Sequence, residues 1–316
     1  VYDELGSFSE GRLAVKRAGT WGFVNDEGLE VIPCRFREVS NFSEGLAAAK
    51  IGNSWGFIDK QGDVVIDFKY ARVGNFKNGL AWVATPDGYG YINREEEFVI
   101  PAEFNRAYDF EGQVARVVAD GEFGLIDSNG QFVRKPRYAT IEPFNEYGLA
   151  IASFGKKWLK YSVINQRGET VTTQSYNEIQ PFSEGLAVVK SVDTYGYIDI
   201  TGRQVIPCQY AKASAFYEGR AAVQKNGSCG YINKAGNRVV PFEFSRCQDF
   251  DGGKAVVYRG IRRAGLIDLD GNLLIEPSVN RLLTFSEGRG LVRDNEYRFY
   301  YKIGRASCRE RVSFTV

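Results

Sequence analysis

The chain has 316 residues, enough for two average domains or for one elongated or barrel-like all-β domain. Its 40 basic and 39 acidic residues nearly cancel and form no basic block, so charge gives no reason to expect nucleic acid; no run of 18 apolar residues exists, which excludes a membrane-spanning helix in this sequence. The chain has no histidine, which excludes Ser-His-Asp and Cys-His nucleophilic sites and removes the commonest general base and zinc ligand.

The two ends of the chain differ from its body. The sequence starts at Val1 and contains no methionine, so we predict that it is a fragment of a longer protein. From Lys302 onward, "KIGRASCRERV" abandons the preceding pattern and resembles sequencing-adapter read-through translated in frame. We therefore interpret residues 302–316 as a non-native tail. It holds four basic residues and one acid, and without it the net charge is −2.

A unit of about 34 residues recurs along the chain. Most units begin with a phenylalanine shortly before a glycine, and four of them read "FSEG". These phenylalanines are Phe8, Phe42, Phe76, Phe110, Phe144, Phe182, Phe216, Phe250 and Phe285. An aromatic-glycine pair, as in "WGFID" at Trp55, and a "VIP" sequence, as at Val31, keep the same period. Three markers in one phase predict a single array of nine repeats over residues 1–301, with the last repeat incomplete.

Each unit is predicted to form three short strands joined by tight turns. In the sixth unit the first two strands are "LAVVK" at 186–190 and "YGYID" at 195–199, and a "VIP" sequence starts the third. An Asn or Asp opens the turn between the second and third strands and a glycine closes it, as in "NDEG" at 25–28, which is typical of a hairpin built on a type I turn. Glu96 replaces that glycine in the third unit, so we expect a strained or longer hairpin there.

Alternation of side chains distinguishes the two faces of the second strand. One column is always β-branched and is predicted to be core: Val24, Ile58, Ile92, Ile126, Ile164, Ile198, Ile232 and Ile267. The glycine two residues earlier, as at Gly22 and Gly56, lies on the same face and leaves room for a neighbour to pack closely. A unit of this length buries too little apolar surface to fold alone, so we expect adjacent units to share one core.

Together these motifs resemble the WG-repeat family of bacterial proteins, named after the pair seen at Trp21-Gly22 and Trp55-Gly56. The resemblance covers residues 1–301. It implies a β-repeat array with no established catalytic residues, and frequent occurrence in envelope-associated or multidomain bacterial proteins. The compartment therefore stays open, and the cell envelope is the location that the resemblance suggests.

Three units depart from this pattern, and the cysteines are scattered. The fifth unit has four inserted residues around Lys156–Asn165, and Ser162 replaces its glycine; Cys229 and Ala264 replace the aromatic residue in the seventh and eighth units. The repeat region also contains Cys34, Cys208 and Cys247. We predict that all four cysteines are small core or surface residues rather than a metal site or a disulfide framework.

Two architectures are compatible with the array. An open superhelical β-repeat stack is favoured, because 34 residues in three strands is short for a propeller blade, which usually takes about 40–45 residues in four strands. A closed β-propeller is the alternative. Small-angle scattering distinguishes them, because a compact ring of this length should have a radius of gyration near ~19 Å and an open stack a larger one.

The corner after each phenylalanine is acidic in several units, at Glu10, Glu44, Glu184, Glu218 and Glu287. One interpretation is a ladder of carboxylates that binds cations or amines. The favoured interpretation is that these residues are solvated corners or caps on backbone amides. "FSEG" is then a folding signature, in which the ring is buried and glycine permits the chain to reverse.

The paired aromatic residues of the second strand are the candidate ligand-binding residues. They lie on the face opposite the isoleucine column and comprise Trp21, Phe23, Trp55, Phe57, Tyr89, Tyr91, Tyr195 and Tyr197. If that face is exposed, the row of flat rings suits sugar rings or an extended polypeptide. If it packs on the adjoining unit, the row is a second layer of core.

The sequence therefore predicts a non-enzymatic repeat scaffold that binds a protein or cell-envelope partner through an extended β surface. No cofactor, metal, nucleic acid or membrane span is expected. The alternative is a carbohydrate-binding module that uses the aromatic row to hold a cell-wall polysaccharide. An enzyme acting through pairs of corner carboxylates is the least favoured hypothesis.

Overall fold

The computed structural model describes residues 1–155, 157, 159–261, 263–279, 281–286, 289–293 and 299–303. Within these residues every regular element is a β-strand, and the strands form nine small antiparallel sheets, which confirms the predicted all-β repeat array. No helix with the length and hydrophobicity needed to cross a bilayer occurs in this part of the chain. The chain divides into two compact units, residues 1–159 with 164–170 and residues 160–163 with 171–316.

Consecutive strands are neighbours in every sheet. The first five sheets contain β1 (Glu4–Ser9), β2 (Arg12–Arg17), β3 (Thr20–Val24) and β4 (Glu30–Phe36); β5 (Glu38–Val39), β6 (Leu46–Ile51), β7 (Ser54–Asp59) and β8 (Val64–Tyr70); β9 (Ala81–Thr85), β10 (Gly88–Ile92) and β11 (Phe98–Phe104); β12 (Arg106–Glu111), β13 (Val114–Ala119), β14 (Glu122–Ile126) and β15 (Phe132–Tyr138); β16 (Thr140–Ile141), β17 (Leu149–Phe154) and β18 (Lys160–Asn165). The last four contain β19 (Glu178–Ile179), β20 (Leu186–Ser191), β21 (Thr194–Asp199) and β22 (Gln204–Tyr210); β23 (Lys212–Ala213), β24 (Arg220–Lys225), β25 (Ser228–Asn233) and β26 (Arg238–Phe244); β27 (Arg246–Cys247), β28 (Lys254–Arg259), β29 (Arg263–Asp268) and β30 (Leu273–Val279); β31 (Arg281–Ser286), β32 (Arg289–Arg293) and β33 (Phe299–Ile303).

Six of the nine described sheets have a fourth strand that the sequence did not predict. In the second sheet this strand is β5, which has two residues and places Glu38 opposite Lys50 on β6. Four of these six strands, β5, β19, β23 and β27, have two residues and are too short to show alternation, so the pattern of side chains does not reveal them, whereas β1 and β12 have six residues. Because these sheets are four-stranded, the strand count no longer favours an open stack over a closed propeller, and that choice stays a prediction for scattering to test.

In seven of the nine described sheets the last strand, which is the third predicted strand of its unit, has a bulge that explains the glycine of the aromatic-glycine pair. In the second sheet Trp55 pairs with Tyr70 and Phe57 with Ile66, so a longer segment of β8 spans two steps of β7. The extra residues bring the β8 backbone onto Gly56, where a Cβ atom would lie 2.5 Å from the Ile66 carbonyl oxygen. The same close approach occurs at Gly22, Gly90, Gly124, Gly196, Gly230 and Gly265. The close packing predicted at this glycine is confirmed.

The fifth sheet shows the structure that accompanies a different residue at this position. Ser162 replaces the glycine there and is buried. Residues 171–175, all of which the structure describes, form no strand, and only isolated bridges at Thr170 and Tyr176 mark the places where a third strand would pair. A side chain at the glycine position thus coincides with the loss of the bulged third strand.

Glu96 closes its turn in the same way as the glycine that it replaces. Its amide donates to the Asn93 carbonyl oxygen at 3.2 Å, so the hairpin has the ordinary length and the expectation of a longer one is wrong. Glu96 has a φ of 65°, in the left-handed region that favours glycine, so the expected strain is present. Its carboxylate accepts a hydrogen bond from the Tyr70 hydroxyl at 2.9 Å and pairs with Lys69 at 2.7 Å.

Rings from neighbouring sheets pack edge to face and form a shared core. Phe57 on β7 meets Phe76 of the next repeat with ring centroids 4.9 Å apart and planes at 71°, and both side chains are fully buried. Equivalent pairs join Phe23 to Phe42, Tyr91 to Phe110, Tyr197 to Phe216 and Tyr231 to Phe250. The isoleucine column on the opposite face, including Ile58, is buried as predicted. Each second strand is therefore covered on both faces, as expected if single repeats cannot fold alone.

Parts of the last repeat and of the tail lie outside the described residues. Phe285, the ninth marker, lies on β31, whereas Glu287 lies outside the described residues. Lys302 and Ile303 form the end of β33, and the rest of the predicted tail, residues 304–316, lies outside the described residues.

Candidate functional site

The corner glutamates bind the backbone of the next repeat. The carboxylate of Glu10 accepts hydrogen bonds from the amides of Glu44 and Gly45 at 2.8 and 2.9 Å. Glu44 accepts in turn from the amides of Asn78 and Gly79 at 2.7 and 2.9 Å. Two further bonds of this kind join Glu184 to Gly219 and Glu218 to Gly253. The interpretation of these residues as caps on backbone amides is confirmed.

The conformation of each corner creates the amide pair that the carboxylate binds. Glu44 and Gly45 both have positive φ, at 55° and 81°, so two consecutive amides point to the same side of the chain, which favours an anion. The preceding serine adds a second bond, since Ser43 Oγ donates to the Phe76 carbonyl oxygen at 2.7 Å. Ser9 and Ser183 make the same bond to Phe42 and Phe216. The three "FSEG" segments that the structure describes in full, at residues 8–11, 42–45 and 182–185, therefore contact the corresponding segment of the next repeat.

The cations that meet this ladder belong to the protein itself. Lys60 Nζ lies 3.1 Å from the Glu10 carboxylate, and Lys234 lies at the same distance from Glu184. Burial raises the pKa of Glu10, but the hydrogen bonds from Lys60 and from the Gly45 and Glu44 amides outweigh it, and the pKa lies below its ordinary value. Burial also raises the pKa of Glu184, but the hydrogen bonds from Lys234 and from the Gly219 and Glu218 amides outweigh it, and this pKa too lies below its ordinary value.

We expect acid to weaken these contacts. A carboxyl group whose pKa is lower in the folded state contributes stability above its ordinary value of about 4.3 and loses it as the pH falls through the folded-state value. The free energy of unfolding should therefore decrease below about pH 4, and the double variant Glu10→Gln/Glu184→Gln should show a shallower decrease. Urea denaturation across this pH range measures both. An unchanged acid dependence in the variant would contradict a stabilising role for these two carboxylates.

The structure separates the predicted aromatic row into two sets. The second residue of each pair is at most 1% exposed, and this set comprises Phe23, Phe57, Tyr91 and Tyr197. Their rings pack against the adjoining sheet, so a ligand has no access to them. These four rings therefore form a second layer of core, which is the interpretation given above for a face that packs on the adjoining unit.

The first residue of each pair is half-buried, and this set comprises Trp21, Trp55, Tyr89 and Tyr195. In the second sheet, Lys50 places its ammonium 5.4 Å from the Trp55 ring centroid and pairs with Glu38 at 2.7 Å. Lys16 and Lys190 lie over Trp21 and Tyr195 at 5.4 and 5.3 Å. Lysine thus covers a ring that a sugar would have to stack on.

A repeated apolar surface lies instead at the start of three consecutive third strands. We call it the third-strand row, and it consists of Val64, Val65, Phe98, Val99, Phe132 and Val133, which are 37–48% exposed. The first residue of the corresponding strand is polar in the first, sixth and seventh sheets, at Glu30, Gln204 and Arg238. The eighth sheet has the same kind of pair, Leu273 and Leu274, which are 36% and 43% exposed. The sequence contains a signal for this row, since two successive apolar residues start a strand whose alternation needs only one of them inside.

A comparison with protein families identifies the repeat that gives the sequence its period of about 34 residues. The sequence profile described as WG containing repeat matches residues 1–21, 21–55, 55–85, 89–122, 123–158, 161–191, 195–229, 230–260 and 265–297. The chain belongs to the WG repeat family. A WG repeat such as residues 21–55 begins on β3 and ends on β7, so it contributes strands to two successive sheets. The chain of one repeat therefore ties adjacent sheets together.

Other comparisons give only distant likenesses to this WG repeat protein. A comparison with curated proteins found no match. Similar solved structures include one described as the eukaryotic initiation factor, with 10% identity and a TM-score of 0.45 over 94% of this chain and 96% of that one. BamB from Moraxella catarrhalis has 13% identity, a TM-score of 0.31 and coverages of 93% and 98%. Hsv2 from Kluyvelomyces marxianus has 10% identity, a TM-score of 0.37 and coverages of 97% and 96%.

Two cysteines of the WG repeats are paired, contrary to the prediction that all are single. Cys229 and Cys247 form a disulfide with Cα atoms 6.1 Å apart, which joins β25 to β27 of the next sheet. Their separation of 18 residues is not a multiple of the repeat length, so the repeat period gives no reason to pair them. The same spacing brings residues together in another sheet of the structure, where Trp55 and Val73 pack on one core cluster. Cys34 and Cys208 are free, as predicted.

Proposed function

We propose that this WG repeat array is a non-enzymatic scaffold that binds a protein or cell-envelope partner through the third-strand row. The observation that carries the proposal is the exposure of two adjacent apolar side chains at the same place in three consecutive sheets. Repeated exposure of this kind has a cost in solubility, and apolar surface rimmed by polar groups marks interaction sites. The corner carboxylates, which offered the sequence's best acid–base groups, are engaged with backbone amides, and this supports a role without catalysis.

The charges around the third-strand row indicate which charges a complementary partner surface would carry. At the second and third sheets exposed acids outnumber exposed bases, with Asp63, Asp67, Glu95, Glu97 and Glu103 against Lys69 and Arg94. Exposed bases flank it at the fourth, at Lys135 and Arg137. The expected partner surface has an apolar stripe with basic groups along most of its length and acidic groups at one end.

The partner should contact side chains rather than add a strand to a sheet. The strands of the row, β8, β11 and β15, are each the last strand of their sheet, but β11 and β15 carry Pro101 and Pro136, which lack an amide donor. The bulges that press on the WG glycines also bend these three strands. Both features protect an edge against strand addition.

Site-specific photocrosslinking tests the proposal. A photoreactive amino acid at Val65, Val99 or Val133 should give one defined adduct in an extract of the source cells. The same group at Ile51 or Val192, which are also exposed but lie at the hairpin between the first and second strands, should not. The partner identified in this way should lose binding to the triple variant Val65→Asp/Val99→Asp/Val133→Asp. Equal adducts at row and control positions would contradict the proposal.

The carbohydrate-binding alternative has less support, because four of its eight rings are buried and lysine covers three others. A glycan array tests it directly. Binding that is lost with Trp55→Ala and kept by the triple aspartate variant of the row would replace our proposal with the alternative.

A further inference from the structure

A cavity of about 210 Å³ opens between the seventh and eighth sheets, next to the disulfide. Its walls include Ala213 on β23, Val223 on β24 and the two cysteines, Cys229 and Cys247. Two basic residues, Lys212 and Arg246, also line it, whereas none of its lining residues is acidic. The wall therefore combines apolar side chains with two positive charges and with the polar groups of Ser214, Gln224 and Ser245.

The cavity occurs where one aromatic ring is missing. The position of Cys229 holds an aromatic residue in six other repeats, at Trp21, Trp55, Tyr89, Phe123, Tyr161 and Tyr195. In the sixth sheet, for example, Tyr195 packs against the same core cluster as Ala213. Cys229 has no ring, and the space that a ring fills elsewhere is left open. The disulfide to Cys247 holds the two sheets together without filling it.

The charge at the cavity is unbalanced for a related reason. In the first two sheets the outer strand supplies a glutamate that pairs with the lysine opposite, as Glu38 does with Lys50 at 2.7 Å. In the seventh sheet Lys212 takes the place of that glutamate and faces Gln224. In the eighth, Arg246 faces Tyr258 and stacks on its ring at 3.9 Å.

Neither cation has an ion pair in the described part of the chain, and both line one cavity. Both residues are exposed, so water solvates their charges in the empty structure, and a bound anion with an apolar body can reach them while it packs on the apolar part of the wall. We propose that this cavity binds a small organic carboxylate, whose body takes the place of the missing ring and whose carboxylate meets Lys212 and Arg246.

Benzoate is the probe, and benzamide is its neutral control of the same shape. Titration calorimetry on the full chain should show saturable benzoate binding and at least about tenfold weaker benzamide binding. The double variant Lys212→Gln/Arg246→Gln keeps the cavity and removes the charge, and it should weaken benzoate by at least about tenfold. Equal binding of benzoate and benzamide, or an unchanged affinity in this variant, would overturn the proposal.

A second variant tests the cavity independently of the charge. Cys229→Tyr/Cys247→Ala copies the pair found at Tyr195 and Ala213 and should fill the hollow with a ring. With its circular dichroism unchanged, it should no longer bind benzoate although both cations remain. Benzoate binding equal to that of the parent, or no benzoate binding by the parent, would show that the cavity is not a carboxylate site. The third-strand row lies in other sheets, so either result leaves the proposed function untouched.

Discussion

Replacing Gly56 with alanine should lower the free energy of unfolding by roughly 3 kcal/mol, the range of overpacked and strained core positions. A Cβ atom at this position would lie 2.5 Å from the Ile66 carbonyl oxygen and 2.9 Å from backbone atoms of Asp67. Relief would require the third strand to move, and that strand is anchored by the buried side chains of Ile66 and Tyr70. Urea denaturation followed by far-ultraviolet circular dichroism measures the loss.

Gly52→Ala is the matched control, because it lies in the preceding hairpin with a φ of 59° and has no atom within 4 Å of a built Cβ. It should cost only about 1 kcal/mol, the penalty of a left-handed alanine. A loss at Gly56 no larger than the loss at Gly52 would mean that the close approach of the third strand does not explain the WG glycine.

Phe42→Ala should destabilise the protein by about 3–5 kcal/mol, the usual loss for a buried ring, whereas Phe8→Ala should change stability by less than about 0.5 kcal/mol. Each of the two residues is the first residue of an "FSEG" segment. Phe42 is 3% exposed and packs on Phe23 with centroids 4.9 Å apart, whereas Phe8 is 57% exposed. The difference arises because a preceding sheet covers Phe42.

Chemical denaturation of the two variants, with protein concentration held constant, gives the comparison. Similar losses would contradict the view that the phenylalanine stabilises the fold by packing on the preceding sheet. A large loss at Phe8 alone would indicate that its exposed face is covered in solution by another molecule, and sedimentation velocity would then detect the assembly.

Much of the fold could be read from the sequence because its signals are local. The buried column that includes Ile58 follows from side-chain alternation within one strand, and the turn at Asn25 follows from the hydrogen bonds that an Asx residue makes to its own backbone. The space required at Gly56 was also predicted. Its cause was not, because the bulge belongs to a strand whose register no local pattern reveals.

The candidate site could be predicted less well. Trp55 and Phe57 have the same phase and the same type of side chain, yet one is half-buried beneath Lys50 and the other is inaccessible. Alternation assigns a residue to a face but does not say whether another sheet covers that face. The two-residue strands and the Cys229–Cys247 pair were missed for the same reason, since each depends on which strands become neighbours in space.

The sequence by itself determined the period, the strands and turns of each unit, the buried isoleucine column and membership of the WG repeat family, because these depend on interactions within a few residues or on the repeat itself. Only the tertiary structure decided the environment of each copy of a repeated segment. Glu10 binds an amide pair because the next repeat lies beside it, and Phe42 is buried because the preceding sheet covers it. The burial of a side chain and its hydrogen-bond partners depend on which residues lie near it in space. A repeated segment has the same sequence whichever residues those are.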